Sequence, residues 1–377
     1  MPRISVILSS LNHGPFIAQA VQSVLDQTFE DFELFIIDDC SNDDSWKIIK
    51  GFDDSRIVAV RNPVRMRGIY GFNKTIRELA GGEYIAIHHS DDVFLADKLA
   101  QQVRALDHTP SLGAVFTHVQ LIDDSGAPFT DAAHPYQGVF DQPNRSRYEW
   151  LNFFFHRGNA LCHPSAMIRR HCFDEVGYYD RRLGQLGDFD FWVRLCMRYE
   201  IHVLQHPLTC FRVRQKEANQ SGNKPETRIR VAMEYQQVLK AYLEIPTVEM
   251  LLQVFPDIRK LVRTGDNVIP FLVALYATRQ AGSKYQAFGI NQLYELMSDT
   301  ELAQDIEEKH GFRYPDLIQL VGEKDIFDMR HQVPAEQTIA MLEQELTRVK
   351  KTVSWKATRP LRLIANLPRL IRTWAAR

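Results

Sequence analysis

Short apolar runs at residues 4–8, 32–37, 56–60 and 84–87 alternate with stretches of helical period, and this alternation restricts the N-terminal fold more than any other feature. Their β-branched and aromatic residues favour strands. Between them Ile17, Ala20, Val21, Val24 and Leu25, and later Phe72, Ile76 and Leu79, recur at the three- and four-residue spacing of one helix face. Pro15 stands where a first helical residue tolerates it. Ser41 or Asn42 is placed to cap the helix carrying Trp46 and Ile49, which Gly51 ends. Strand and helix in strict alternation predict a parallel sheet wrapped by helices.

In such sheets ligands bind beyond the carboxyl ends of the strands. Ser9, the pair Asp38-Asp39 and the pair Asp91-Asp92 each directly follow or end an apolar run, so all are expected on one rim. Adjacent aspartates repel each other and suit neither strand nor helix interior. Holding a hard divalent cation beside phosphate oxygens is one use for them; an acidic turn followed by a helix cap is the other. Two such pairs at two strand ends favour a site.

Further along, Leu99, Val103 and Leu106 mark a helix and residues 113–117 a strand. Residues 123–147 are polar and proline-containing, a long loop of the kind that serves as a lid or recognition segment. Residues 165–168 read as a strand, preceded by Asn159, Cys162 and His163. Phe191, Trp192, Leu195, Cys196 and Tyr199 define the inward face of another helix, and Asp188 shares that face. Asp190 lies off it and is spaced to pair with Arg194. For Asp188 two readings stand level: a first-turn carboxylate favoured by the helix dipole, or a desolvated general base aimed into a cleft.

The texture changes after residues 211–214, giving an expected division into a catalytic unit at 1–220, a helical unit at 226–330 and a C-terminal part at 334–377. Ile339, Leu342, Leu346 and Val349 predict an amphipathic helix over 334–351, able to pair with a copy of itself. From Lys350 to Arg377 the chain carries eight Lys/Arg and no acid, with Trp355, Leu361, Leu367 and Trp374 interleaved. Such a tail suits peripheral contact with an anionic membrane; docking on protein is the alternative.

A net charge of −2 argues against a general nucleic-acid binder. Five cysteines without a CxxC pair suggest a reduced, intracellular chain. The N-terminus runs directly into a strand with no signal peptide pattern, and the apolar stretch at 268–277 is too short to cross a bilayer. A cytoplasmic location, possible at the inner face of the cell membrane, is expected.

Six motifs in fixed order add a resemblance. They are Ser5-Val6-Ile7-Leu8-Ser9-Ser10-Leu11-Asn12, Gln27-Thr28-Phe29-Glu30-Asp31-Phe32-Glu33-Leu34, Asp38-Asp39-Cys40-Ser41-Asn42, Gly82-Glu83-Tyr84-Ile85 with Ser90-Asp91-Asp92, His163-Pro164-Ser165-Ala166-Met167, and Gly187-Asp188-Phe189-Asp190-Phe191-Trp192. Over roughly residues 2–215 the chain resembles the family 2 glycosyltransferases, in particular their spore-coat polysaccharide synthase type. The resemblance implies a GT-A fold, a Rossmann-like α/β unit with a mixed, mainly parallel sheet, followed here by a smaller all-α region and the basic amphipathic tail. It implies an inverting, metal-dependent enzyme moving a sugar from a nucleoside diphosphate, UDP by preference, to a glycan or lipid-linked acceptor of a surface polysaccharide.

By that likeness Ser9, Leu11 and Asn12 line the nucleotide pocket, Asp39 binds uracil or ribose, and Asp91 and Asp92 serve Mn²⁺ or Mg²⁺ and ribose. Asp188 is the general base, His163 and Trp192 are candidates for sugar contact, and Arg65, Arg67 and Arg214 for the diphosphate. Such a cation neutralises the departing diphosphate, while a carboxylate takes the acceptor proton from the opposite side. The chain departs from the family pattern at His89, where relatives often carry the first metal aspartate, and at Leu11, often a base-stacking tyrosine. His88 is read as structural. The competing functions are a sugar nucleotidyltransferase, which lacks its glycine- and arginine-rich phosphate loop here, and a non-catalytic nucleotide- or glycan-binding assembly module.

Overall fold

The computed structural model describes residues 1–351. The eight strands are β1 (Ile4–Ser10), β2 (Phe32–Asp38), β3 (Ile57–Arg61), β4 (Tyr84–His89), β5 (Val93–Phe94), β6 (Leu112–Ile122), β7 (Met167–Arg169) and β8 (Glu200–Arg212). They form one sheet in the order β3-β2-β1-β4-β7-β6-β8-β5. The pairs β1–β2, β1–β4, β2–β3 and β6–β8 are parallel, whereas β7 runs antiparallel to β4 and β6, and β5 antiparallel to β8. This is the expected mixed α/β sheet of the GT-A type. The apolar run at 165–168 is split, with a short 3₁₀ turn at His163–Ser165 leading into β7.

Helices cover both faces: α1 (Gly14–Leu25), α2 (Ser45–Ile49), α3 (Gly68–Glu78), α4 (Lys98–His108), α5 (Arg147–Arg157), α6 (Arg170–Val176) and α7 (Gly187–Cys196). Because side chains alternate along a strand, Ile4, Val6 and Leu8 of β1 pack with α1, α2 and α4, while Ile7 joins Phe72 and Ile76 of α3 on the other face. The second of the paired glycines before β4 has a steric reason. A Cβ on Gly82 would stand 2.5 Å from the Ser5 backbone nitrogen.

Neither Ser41 nor Asn42 caps α2, which starts after Asp44 without a side-chain cap. Ser41 Oγ instead accepts from Asn12 N and the Asn42 N–H donates to Asn12 Oδ1, joining the turns after β1 and β2. Residues 123–146 hold no helix or strand beyond a single bridge, as expected, but α5 follows at once. Its start carries a capping box in which Ser146 and Glu149 satisfy each other's backbone.

After residue 225 the chain is helical: α8 (Pro225–Lys240), α9 (Val248–Val254), α10 (Ile269–Thr278), α11 (Ser283–Ser298), α12 (Thr300–His310), α13 (Tyr314–Glu323) and α14 (Met329–Lys351). This region shares its core with the sheet domain, since Phe154 and Phe155 of α5 lie in one apolar cluster with Tyr235, Tyr242, Phe255 and Tyr285. Three tyrosine hydroxyls reach α5: Tyr235 donates to Phe154 O at 2.9 Å, Tyr242 to Leu151 O at 2.8 Å and Tyr285 to Phe155 O at 2.7 Å. Phe155 lies in the last turn, where carbonyls lack an intrahelical partner, so the helical region satisfies that end of α5. The basic tail beyond residue 351 lies outside the described residues. Among those residues no helix is long and apolar enough to cross a membrane.

Candidate active site

The strand pleat sorts the first residues of the site. His88 and His89, neighbours at the end of β4, point to opposite faces. His88 is buried with α1, its Nε2 3.2 Å from Ala20 O and its ring 3.9 Å from that of Phe94, a structural role. His89 faces the rim, where it meets Asp91 and Asp92. One ligand atom from each of these three residues lies within 4.8 Å of the others.

Asp92 is buried, and its Oδ1 accepts from the Arg212 N–H at 2.8 Å. Its Oδ2 has no hydrogen-bond partner among the described residues and lies 3.6 Å from His89 Nδ1. Burial, together with the neighbouring Asp91 carboxylate, pushes the Asp92 carboxyl well above the usual carboxylate range. A buried carboxylate oxygen without a donor, next to an imidazole nitrogen and a second carboxylate, is a donor set that a divalent cation satisfies. The residues present therefore fit Mn²⁺ or Mg²⁺, with His89 as a third contributor beside the two aspartates.

His89 is held from behind. Its Nε2 lies 3.0 Å from His163 Nδ1, and His163 Nε2 lies 3.0 Å from the Tyr179 hydroxyl. Burial lowers the basicity of both histidines, and His89 lowers that of His163 further. With both rings neutral, a hydrogen on His89 Nε2 leaves Nδ1 as a lone pair facing Asp92, an arrangement typical of metal-site histidines. His163 thus supports His89 in this structure rather than standing free for a sugar.

Asp188 lies in the first turn of α7. Its Oδ2 accepts from Asn159 Nδ2 at 3.1 Å and its Oδ1 from the Phe189 N–H at 2.7 Å. Burial raises its carboxyl to about 6, the two hydrogen bonds opposing the shift. Its charge is felt at Tyr179 and at Cys162, whose thiol is pushed up chiefly by burial and next by Asp92. Asp188 and Asp92, far apart in sequence, thus both act on the buried Cys162.

The helical region sets the position of Asp188. Both carboxylate oxygens of Glu234, on α8, accept from the segment before it: Gly184 N, Gln185 N and Leu186 N, each at 2.8 Å. Nothing in the local sequence pattern of α8 marks Glu234, so it escaped the sequence reading.

The remaining predicted residues fall as follows. Ser9 and Leu11 are half-buried at the rim and Asn12 is exposed with φ 53°. Asp39 is buried and already engaged, its Oδ1 accepting from Asn62 Nδ2 and Met66 N and its Oδ2 from Arg67 N, each at 2.8 Å. A carboxylate oxygen accepts two bonds, so Oδ2 keeps capacity for one more donor. The arginines of the loop at 62–67 are exposed, and Arg67 has φ 69°.

Two expectations need correction. Trp192 is fully buried against Phe116 and His163, where no sugar can reach it. Asp190 is spaced as predicted for its ion pair with Arg194 at 2.7 Å, yet it is buried rather than outside the packed face, because α6 and its following loop cover it. Arg212 is buried, donating to Asp91 O, Asp123 O and Gln19 Oε1. Arg214 reaches Asp124 at 3.0 Å and Asp91 at 3.8 Å, stacked over Phe16. His13 completes the rim, its Nδ1 2.8 Å from Ser90 Oγ and 3.7 Å from Asp91. Neither Arg212 nor His13 carries a spacing signal, since each meets Asp91 through a different strand.

Beside the site, residues 128–141 fold over β6. A cavity of about 210 Å³ there is lined by Val119, Leu121, Phe129, Tyr136, Phe140 and Asp141 among others.

Residues 5–177 match the model of glycosyl transferase family 2. The chain is 24% identical over 221 residues to an uncharacterized glycosyltransferase of Methanocaldococcus jannaschii, covering 57% of this chain and 72% of that protein. Over 107 residues it is 35% identical to the Escherichia coli UDP-Glc:alpha-D-GlcNAc-diphosphoundecaprenol beta-1,3-glucosyltransferase WfaP, covering 28% of this chain and 42% of the relative. The fold is that of S. aureus TarS 1–349, solved in complex with UDP-GlcNAc, at a TM-score of 0.52 and 15% identity, covering 81% of this chain and 90% of that one. Residues 5–177, the part of the chain that carries the acidic rim, thus match a glycosyl transferase family 2 domain.

Proposed function

We propose that this chain is an inverting, metal-dependent transferase that moves a sugar from a nucleoside diphosphate, UDP by preference, to a hydroxyl of a growing surface polysaccharide or lipid-linked glycan. The observation that carries the reading is the buried carboxylate of Asp188, raised to about 6, whose charge acts on Cys162 together with that of Asp92 from the His89–Asp91–Asp92 cluster. A general base works best when its pKa lies near the working pH. The carboxylate of Asp188 takes the proton of the acceptor hydroxyl as its oxygen bonds to the anomeric carbon, while the bond to the diphosphate breaks on the other side. That single displacement inverts the configuration.

His89, Asp91 and Asp92 would hold the cation, whose chemistry is to neutralise the departing diphosphate. Arg214 sits beside Asp91 with its guanidinium ready to exchange Asp124 for a phosphate oxygen. Asn159 orients the Asp188 carboxylate. The choice of UDP rests on the name of WfaP, and the acceptor class on its undecaprenol-linked substrate. The aromatic cavity under residues 128–141 is the proposed neighbourhood for acceptor recognition. A module that only binds nucleotide has no use for a buried carboxylate at Asp188.

The test is a thermal-shift panel of UDP, GDP and dTDP with and without Mn²⁺, followed by donor turnover. Stabilisation by one nucleotide that grows with Mn²⁺ is expected. Donor cleavage that persists undiminished in Asp91→Asn/Asp92→Asn would refute the reading.

A further inference from the structure

Among the described residues, helix α14 exposes an apolar stripe. It runs 23 residues, and every residue from Glu336 to Lys351 is exposed. Ile339, Leu342 and Leu346 expose 55%, 59% and 47% of their surface, and Val349, next in the series, 41%. Successive steps along these residues are three, four and three, the 3.5-residue repeat whose seam stays against a partner helix when the two wind into a left-handed supercoil. Ile339 and Leu346 take the first core position of the heptad and Leu342 and Val349 the second.

The charges beside the seam select the partner. Glu343 and Lys350 occupy the flanking position after the second core residue, and Glu345 the one before the first. In a parallel pair of identical helices, Glu345 of one copy faces Lys350 of the other, an attractive contact made twice by symmetry. In an antiparallel pair centred on the seam, Glu345 faces Glu345. A lipid surface is disfavoured, because membrane-lying helices border their apolar face with Lys and Arg, and here Glu343 and Glu345 stand at that border.

We propose that α14 joins copies of this chain as a parallel coiled coil. The apolar face exposed among the described residues is covered by the same face of a second copy, and the helical region carries the catalytic domains at one end of the bundle. The assembly needs nothing from the sugar-transfer site and is independent of that assignment.

Light scattering on the full chain at micromolar concentration is expected to return a multiple of the 43.6 kDa monomer. Leu342→Glu/Leu346→Glu should give a monomer whose unfolding temperature is unchanged at the concentration of the monomer, since neither residue packs in the body. Glu345→Lys alone should weaken association, and Glu345→Lys/Lys350→Glu should restore it. Leu342→Cys should crosslink chain to chain under copper–phenanthroline, as parallel pairing requires. A monomeric wild-type chain, an assembly indifferent to Leu342→Glu/Leu346→Glu, or a monomer that sediments with phosphatidylglycerol vesicles would each overturn the proposal.

Discussion

Nε2 of His89 lies 3.0 Å from Nδ1 of His163, although 74 residues separate them. The contact joins the acidic rim after β4 to the turn before β7, and through Tyr179 to the surroundings of Asp188. The candidate metal residues and the candidate base are thereby parts of one packed arrangement.

The first consequence concerns His163. His163→Phe preserves a ring among Phe72, Tyr179 and Trp192 but removes the bond that orients His89. Loss of such an outer partner typically costs about 10–100-fold in metal affinity. The Mn²⁺ concentration for half-maximal UDP-induced stabilisation should rise by that factor. A stability loss with unchanged Mn²⁺ dependence would reduce His163 to a packing residue.

Asp188 links activity and stability with opposite signs. Its folded-state carboxyl is raised from 3.8 to about 6, so the folded chain binds more protons than the unfolded one between these values. Stability therefore falls as pH rises through that window, with the penalty complete above it. Asp188→Asn should gain about 2–3 kcal/mol above pH 6.5 and nothing below pH 4, from the 1.36 kcal/mol per pKa unit of a buried group. Transfer by the wild-type chain should rise with pH through about 6, and the variant should lose roughly 10²–10⁴-fold in kcat while still binding UDP. Denaturant titrations at both pH values, beside donor turnover, check both halves.

Glu234 should act at a distance from any substrate. Its carboxylate binds the three N–H groups that precede α7, and an amide offers those donors one oxygen instead of two. Glu234→Gln is expected to cost about 1–3 kcal/mol and to lower kcat on the order of tenfold through displacement of Asp188. UDP affinity should stay as it was; a change confined to UDP affinity would contradict the positioning role.

Lys98 is a buried ammonium without a hydrogen-bond partner, 3.8 Å above the Phe94 ring. Burial lowers it from 10.5 to about 7, so between these values the unfolded chain binds more protons and stability rises with pH. Lys98→Met should stabilise on the order of 3 kcal/mol near pH 6. The advantage should shrink as pH approaches 10. Chemical denaturation across that range reads the trend directly.

How far the sequence could be read depended on whether a signal was local. Strands β1 to β4 and helices α1 and α3 were legible because their apolar periods are set within a few residues, and Asp39, Asp91 and Asp92 were legible because they end those strands. The start of α5 had a signal that was passed over: Ser146 and Glu149 form a capping box ahead of Trp150, Leu151, Phe154 and Phe155. Trp192 shows the reverse, a residue that lies next to a site motif in sequence and inside the core in space.

The amino-acid sequence by itself determined the alternating architecture and the rim that collects its acidic strand ends, since backbone preference and side-chain period act over neighbouring residues. Only the tertiary structure decided that Arg212 would clamp Asp91 and Asp92, that Glu234 would hold the start of α7, and that His163 would stand behind His89. Those contacts join segments far apart along the chain, and burying a charge or an imidazole is tolerated only where the fold brings its partner. Periodicity carries no record of such meetings, because a distant partner leaves no mark on local spacing.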